Sequence, residues 1–412
     1  MNSVAGKQLA LLLTVALALR LTAGWTLQTR LEDRFALPDS EGYWALGEAI
    51  AEGGPYQCGT HHWQVFRAPG YPLLLAPIFW MAGGDTAVML ARAQAALLGT
   101  LAVAGVWGLA RQLFDARTGL IAAAIATVYP GAIAMSVVIL SEAPFCALLP
   151  MHLLLWTKAW QAESPRRAGA WAFGGGLVAG VATLMRPSWL LFTPVAILVG
   201  VVVSGRRLRH AGIGLAMIAG LAVAMLPWWI RNARVTGHFV PTTLQVGASL
   251  YDGLNPEATG ASNMDFVPRF VQEEEQAQVA DDQPGESLEI RLDRRLRSEA
   301  LAWARDNPGK AAQLAAVKLF RVWNIWPNEP RLSSWPIRLA VLVTYVPVLA
   351  LGIIGAAKTV RRGWPYVLCW LPAVYLTALH MIFVSSIRYR EPAMLGLIVL
   401  AAGVLGRMKD KG

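Results

Sequence analysis

Two short segments near the start of the chain concentrate side chains that can move protons and hold anions. One is Asp39-Ser40-Glu41-Gly42-Tyr43; the other is Phe66-Arg67-Ala68-Pro69-Gly70-Tyr71-Pro72. A carboxylate such as Asp39 can accept a proton from a hydroxyl. An arginine such as Arg67 can hold a phosphate through two parallel hydrogen bonds. A plainer reading stands beside this one, with Asp39 capping a helix and Arg67 in a surface ion pair.

Three further places carry charge where charge is expensive. Glu142 sits in Ile139-Leu140-Ser141-Glu142-Ala143-Pro144, at the end of an apolar run. A carboxylate at membrane depth is costly unless it is paired or faces water, so Glu142 either serves chemistry or pairs with a neighbouring helix. Arg186, in Leu184-Met185-Arg186-Pro187, is similarly placed, and an arginine at a helix end commonly just reaches back to the interface. Arg388, Tyr389 and Arg390 fill a short turn before the last apolar run. They either meet anionic lipid headgroups or form a specific phosphate site. His61-His62 has no matching ligand set, so no metal is indicated. His152 and His380 read as interhelical hydrogen-bond partners. The three cysteines, Cys58, Cys146 and Cys369, have neither metal-type nor disulfide-framework spacing.

The elements that must position these residues are membrane helices. Of 412 residues, 55% are hydrophobic and only 15% charged, with a mean hydropathy of +0.45. Charged residues cluster between apolar runs of about 20 residues, the length that crosses a bilayer as a helix. Disorder and a soluble multidomain chain are both excluded. The net charge of +10 is mostly loop arginine beside apolar runs, so topology explains it and a nucleic-acid partner does not.

The periodicity predicts about ten spans: 8–27, 86–110, 117–137, 140–157, 169–185, 188–204, 211–230, 337–357, 364–384 and 391–406. Lys7, an apolar run and Leu21-Thr22-Ala23 also fit a signal peptide; an uncleaved anchor is the preferred reading. One set of short loops holds fifteen lysines and arginines, from Lys7 to Lys411, and the opposite set only Arg186, Arg388 and Arg390. The richer side is the cytoplasmic one, which puts both termini inside. Residues 28–85 and the roughly 106 residues 231–336 then face outward. The chain divides into an N-terminal membrane module (1–230, seven spans), an extracytoplasmic helical segment (231–336) and a C-terminal membrane module (337–412, three spans).

Within the outer segments, a helix capped by Asp39 runs through Tyr43, Leu46 and Ile50 to Gly53-Gly54. Its spacing suits a helix lying on the membrane. Ser287 to Asp306 reads as an amphipathic helix, broken at Asn307-Pro308-Gly309 and followed by another to about Trp323. The acidic stretch from Glu273 to Gly285 reads as a mobile loop. No Walker A or Gly-x-Gly-x-x-Gly signature occurs in a usable context.

The ordered motifs resemble those of the GT-C superfamily of polyprenyl-phosphate-dependent glycosyltransferases. Within it they are most similar to the bacterial relatives of protein O-mannosyltransferases and of the lipid A aminoarabinose transferase. The matching residues run nearly end to end. They are Ala16-Leu-Ala-Leu-Arg20-Leu, Asp39-Ser-Glu-Gly-Tyr43 with Gly53, Arg67-Ala-Pro-Gly-Tyr-Pro72, Ser141-Glu142, Met185-Arg-Pro187, Leu226-Pro-Trp-Trp-Ile-Arg-Asn232 with Gly237, Asn307-Pro308 and Arg388-Tyr-Arg-Glu-Pro392. The resemblance implies an all-α GT-C architecture in a bacterial inner membrane. It implies transfer of a sugar from a polyprenyl (undecaprenyl-type) phosphate carrier to a lipid, glycan or protein hydroxyl on the outer face, with inversion. Asp39 maps to the catalytic carboxylate and Glu142 to a second one. Arg67, Arg388 and Arg390 map to donor-phosphate binding. Glu41, Tyr43, Tyr71, Arg186, Arg231 and Tyr389 are candidates for the substrate cavity. No cofactor is required; a divalent metal is compatible with the resemblance but not indicated. Two departures stand out: Ser40 interrupts the consecutive acidic pair of some relatives, and the Trp-Trp-Asp motif of oligosaccharyltransferases is absent. The alternative is a transporter or flippase of an amphipathic lipid, although polar residues gather at the outer ends of spans and no halves repeat.

Overall fold

The computed structural model describes residues 3–31, 33–203, 205–281, 286–326 and 334–408, and these are helical with one isolated antiparallel bridge, Cys58 to Trp63. Lys409 and Lys411, counted above in a basic loop, lie outside the described residues. The helices are α1 (Ser3–Arg30), α2 (Asp39–Ala51), α3 (Gly70–Met81), α4 (Gly84–Leu113), α5 (Ala116–Val128), α6 (Pro130–Met135), α7 (Glu142–Gln161), α8 (Pro165–Met185), α9 (Phe192–Val203) and α10 (Arg207–Thr236). Then follow α11 (Val246–Gly253), α12 (Val267–Asp281), α13 (Leu288–Asp306), α14 (Pro308–Trp323), α15 (Trp335–Thr359), α16 (Val367–Ile382) and α17 (Glu391–Leu405).

Among the described residues, five helices are long and apolar enough to cross a membrane: Val4–Arg30, Gly84–Leu113, Pro165–Met185, Arg207–Thr236 and Trp335–Arg362. Five shorter apolar helices accompany them. This is a multi-pass membrane protein. Two segments differ from the sequence reading. Residues 117–137 are not one span, because Tyr129 is extended ahead of Pro130 and the helix ends at Val128. A proline ring clashes with a helical backbone at the preceding residue, so the break sits where the sequence places it. Residues 28–85 hold a second helix besides the expected one at Asp39, namely α3, whose Tyr71, Leu75 and Ile78 are buried.

The C-terminal helices are part of one core with the N-terminal ones. A single apolar cluster runs from Ala16 through Met217 and on through Tyr345 to Ala402. Helix α17 sits in the middle of it, buried along almost its whole length. Close approach depends on small residues, as expected where lipid gives no hydrophobic drive between helices. A Cβ on Gly176 of α8 would lie 2.0 Å from the Met217 carbonyl oxygen of α10, so α8 and α10 pack backbone to backbone there.

The helices α11 to α13 build a second, smaller core from Ala248, Leu250, Tyr251, Phe270, Leu292, Leu296 and Ala300. The α13 and α14 helices appear where the apolar spacing predicts, parted by Asn307. The acidic stretch from Glu273 is helical up to Asp281, and residues 282–285 fall outside the described set. Its carboxylates are met by cations of α13: Arg291 Nε lies 3.2 Å from Glu274, and Arg295 lies 2.6 Å from Glu273 and 3.2 Å from Glu274. Those pairings, invisible in linear order, offset the repulsion that the run of glutamates implies.

Candidate active site

Asp39 opens α2, but it does not cap it. Pro38 holds the cap position, and no side-chain cap bond forms. The Asp39 carboxylate is turned to two arginines instead. Its Oδ1 accepts from Arg67 Nη2 at 2.8 Å and its Oδ2 from Arg388 Nη2 at 3.1 Å. Local sequence explains how both arginines arrive. Arg67 stands three residues before α3, and a Cβ on Gly70 would lie only 2.6 Å from the Leu184 carbonyl oxygen. That close approach seats the start of α3 against the end of α8, where Arg186 lies. Arg388 stands in the single 3-10 turn Ile387–Tyr389 between α16 and α17.

The cluster continues past Arg388. Its Nε lies 3.7 Å from Glu142 Oε1, and the same oxygen receives Arg186 Nη1 at 2.6 Å. Glu142 begins α7, where the helix dipole favours a negative charge. The order Arg67, Asp39, Arg388, Glu142, Arg186 therefore alternates in sign. Three guanidiniums face two carboxylates, which leaves an excess positive charge for an anion to meet. The Asp39 side chain is 36% exposed and Glu142 only 4%, so solvent reaches the first carboxylate and not the second, while the arginines at the two ends, Arg67 and Arg186, are each 15% exposed.

Aromatic rings shape the walls. The Arg67 guanidinium lies 5.0 Å from the Tyr43 ring centroid, and Tyr43 is edge-on to the buried Tyr71 at 5.3 Å. Tyr43 Oη donates to Ser141 Oγ at 3.5 Å. Tyr389 stacks on His380 at 4.2 Å and accepts from Arg388 at 3.1 Å, while Arg186 lies 5.4 Å from its centroid. His380 thus bonds the Val384 carbonyl through Nδ1 and supports Tyr389. His152 does receive Trp189 Nε1 across elements, at 3.3 Å.

Burial works against ionisation of Asp39, but Arg67 and Arg388 outweigh it and hold its carboxyl down to about 2. For Arg67, burial opposes the charged form, and Tyr43 and Asp39 more than offset it, so its pKa rises. Arg388 is likewise raised, against burial, by Tyr389, Glu142 and Asp39.

Not every residue singled out in the sequence joins this group. Arg390 points the other way and is buried: its Nη1 donates to the Val322 carbonyl at 3.0 Å and to that of Asn324, and its Nε lies 3.4 Å from Glu391. Arg388 and Arg390 lie two residues apart, and at three residues per 3-10 turn that spacing points them to different sides. Arg231 donates to the Gln64 and Tyr56 carbonyls at 2.7 and 3.2 Å and stands away from Asp39. Glu41 is exposed and makes no ion pair among the described residues. Among the described residues, no group of three His, Cys, Asp or Glu side chains can hold a metal ion. Tyr56 was not foreseen; its Oη donates to the Arg67 carbonyl at 3.1 Å. Only its neighbouring Gly-Gly-Pro turn marks it in the sequence.

Residues 67–230 match the family model described as dolichyl-phosphate-mannose-protein mannosyltransferase, a stretch that includes Arg67, Glu142 and Arg186. No curated protein matches the chain significantly. Among solved structures, the oligosaccharyltransferase of Archaeoglobus fulgidus in its apo form is similar over 99% of this chain and 51% of its own, at 16% identity and a TM-score of 0.63. The fold is that of the GT-C glycosyltransferases. The same archaeal enzyme, AglB, in complex with an inhibitory peptide and a dolichol-phosphate, covers 98% of this chain and 50% of its own, at 14% identity and a TM-score of 0.62. ArnT from Cupriavidus metallidurans, in the apo state, covers 98% and 79%, at 17% identity and a TM-score of 0.48. The chain spans about half the length of the archaeal GT-C structures it matches.

Proposed function

We propose that this chain is a membrane glycosyltransferase that takes a sugar from a polyprenyl phosphate carrier and passes it to a hydroxyl acceptor. The observation that carries the reading is the Asp39 carboxylate held between Arg67 and Arg388, in a cluster with one guanidinium more than its carboxylates balance. A lipid-linked phosphosugar brings one negative charge, and that charge grows on the departing phosphate as the glycosidic bond breaks. Cations placed where charge develops lower the barrier. The family model named for a dolichyl-phosphate sugar, and an archaeal enzyme of similar fold in complex with a dolichol-phosphate, are consistent with such a donor.

The geometry also supports an order of events. With its carboxyl held down to about 2, Asp39 is a weak base while both arginines are on it. A carrier phosphate that takes Arg67 and Arg388 leaves Asp39 unpaired, and its basicity rises. Asp39 then accepts the acceptor's hydroxyl proton. The freed oxygen attacks the anomeric carbon from the face opposite the phosphate, forming the new glycosidic bond with inversion. The bond from that carbon to the phosphate oxygen breaks, and its electron pair goes to the phosphate, held by the two arginines. Glu142 fixes Arg388 and Arg186 from behind. Arg390 is left out of this scheme as a structural residue, and no metal enters it.

By the loop-charge asymmetry, this site faces the outer side of a bacterial inner membrane with both termini cytoplasmic. The acceptor enters beneath segment 231–336. The test is turnover of a panel of polyprenyl-phosphate sugars by purified protein, with free carrier followed by mass spectrometry. Release of carrier by wild type and its loss in Arg67→Ala is the expected result. Lipid movement without any Arg67-dependent release would favour the transport alternative.

A further inference from the structure

Two buried charged side chains outside the cluster reach the two stretches of backbone that carry its arginines. Both come from the outer segment. Glu289, near the start of α13, accepts from Val65 N at 2.9 Å through Oε1 and from Gln64 N at 3.0 Å through Oε2. Arg67 follows two residues later. The Val65 carbonyl accepts in turn from Leu244 N at 3.0 Å, and Arg231 takes the Gln64 carbonyl at 2.7 Å. The strip 64–65 is thus held on its amides and its carbonyls alike.

Lys318 of α14 does the corresponding thing on the other side. Its side chain is fully buried, and Nζ donates to the Gly253 carbonyl at 2.8 Å and the Ile382 carbonyl at 2.6 Å. Ile382 ends α16, whose last carbonyls have no helical partner. The turn carrying Arg388 begins just after, and it is also held by Ser385 N donating to the Gly260 carbonyl at 2.9 Å. The fit is tight: a Cβ on Gly253 would lie 2.7 Å from the Ile382 oxygen and 3.1 Å from Lys318 Nζ.

Burying a carboxylate and an ammonium costs free energy that only well-made hydrogen bonds offset. Both are spent here on backbone that leads to the cluster. The α13 and α14 helices are joined through the single residue Asn307, so one pair of consecutive helices carries both groups. We infer that Glu289 and Lys318 are positioning residues: the linked helices α13 and α14 set the gap between Arg67 and Arg388. This rests on the proposal that those arginines share the carrier phosphate. A misplacement of about 1 Å at such a site can cost 100-fold in rate, so these two helices tune the donor site.

The experiment combines hydrogen exchange with kinetics on the full chain in lipid nanodiscs. In Glu289→Ala, amides of residues 63–68 should exchange faster while residues 384–390 stay unchanged, and Lys318→Met should show the reverse. Donor kcat/KM should fall about tenfold in each, with Glu289→Gln recovering part because it keeps one acceptor oxygen. Glu289→Ala should be less than multiplicative with Arg67→Lys and multiplicative with Arg388→Lys; Lys318→Met should pair the other way. Exchange that rises everywhere, or losses that multiply with both arginine variants alike, would overturn the inference. If exchange responds locally as expected but Arg67→Lys and Arg388→Lys leave the affinity for undecaprenyl phosphate at the wild-type value, the positioning stands and the phosphate-site reading fails.

Discussion

Four arginines of this molecule form two pairs that differ in what they hold. Arg67 and Arg388, partly open to solvent, hold the carboxylate of Asp39. Arg20 and Arg390, fully buried, hold chiefly backbone, with the buried Glu391 carboxylate beside Arg390. Arg20 donates through Nη2 to the Ala126 carbonyl at 3.1 Å, through Nη1 to the Thr127 carbonyl at 3.3 Å, and through Nε to Ser136 Oγ at 3.2 Å. Those carbonyls are the ones left without helical partners where α5 stops at Tyr129-Pro130. Arg390 likewise closes the end of α14 at Val322 and lies 3.7 Å from the Tyr345 ring centroid. A carbonyl cannot leave its helix, whereas an exposed carboxylate can give up its arginine to another anion. Partner type, more than residue type, separates a structural arginine from one available to a ligand.

That contrast is breakable by mutation. The largest effect belongs to Asp39→Asn, which removes the proposed base while leaving an amide of the same shape. Transfer should fall roughly 100- to 10,000-fold, read as sugar moved per folded molecule. Arg67→Ala and Arg388→Ala should each cost about 100- to 1,000-fold in kcat with the melting temperature little changed. Arg20→Leu and Arg390→Met should behave oppositely. Each strands buried carbonyls and should cost about 1–3 kcal/mol of stability, seen as a lower unfolding midpoint in detergent, with turnover per folded molecule retained. Loss of turnover in Arg390→Met at unchanged stability would move Arg390 back among the phosphate ligands.

The smallest effect is in pH dependence. The Asp39 carboxyl is depressed in the folded state to about 2, below its ordinary value. Its ion pairs therefore stabilise the protein fully above the ordinary carboxylate range, near 4, and that contribution is lost as pH falls through about 2. Removing Arg67 lets the carboxyl rise. Thermal unfolding followed from pH 2 to 5 should show the acid loss beginning at higher pH in Arg67→Ala than in wild type.

Much of this was legible in the residues, and what was not has identifiable causes. The membrane class follows from apolar runs, and the α13–α14 pair from spacing and the Asn307-Pro308 break. Asp39, Arg67, Glu142 and Arg388 stand out as charges in expensive places, and the structure brings them together with Arg186. Their pairing joins residues up to 349 positions apart in sequence, which local pattern does not encode. Helix α3 was hidden because 12 residues are too few for a span and look like loop between two others. The break at Tyr129 was hidden by an apolar run that continues through it, although Pro130 was in plain view. Glu289 left one trace. It falls on the same helical face as Leu292, Leu296 and Ala300, where a carboxylate has no reason to be unless something donates to it.

The most direct test is binding of undecaprenyl phosphate to wild type and Asp39→Asn, measured beside sugar transfer by the same preparations. If Asp39 competes with the carrier phosphate for Arg67 and Arg388 and then serves as base, Asp39→Asn should bind the carrier at least as tightly as wild type and transfer almost no sugar. Weaker carrier binding in Asp39→Asn, or transfer at the wild-type rate, would contradict it.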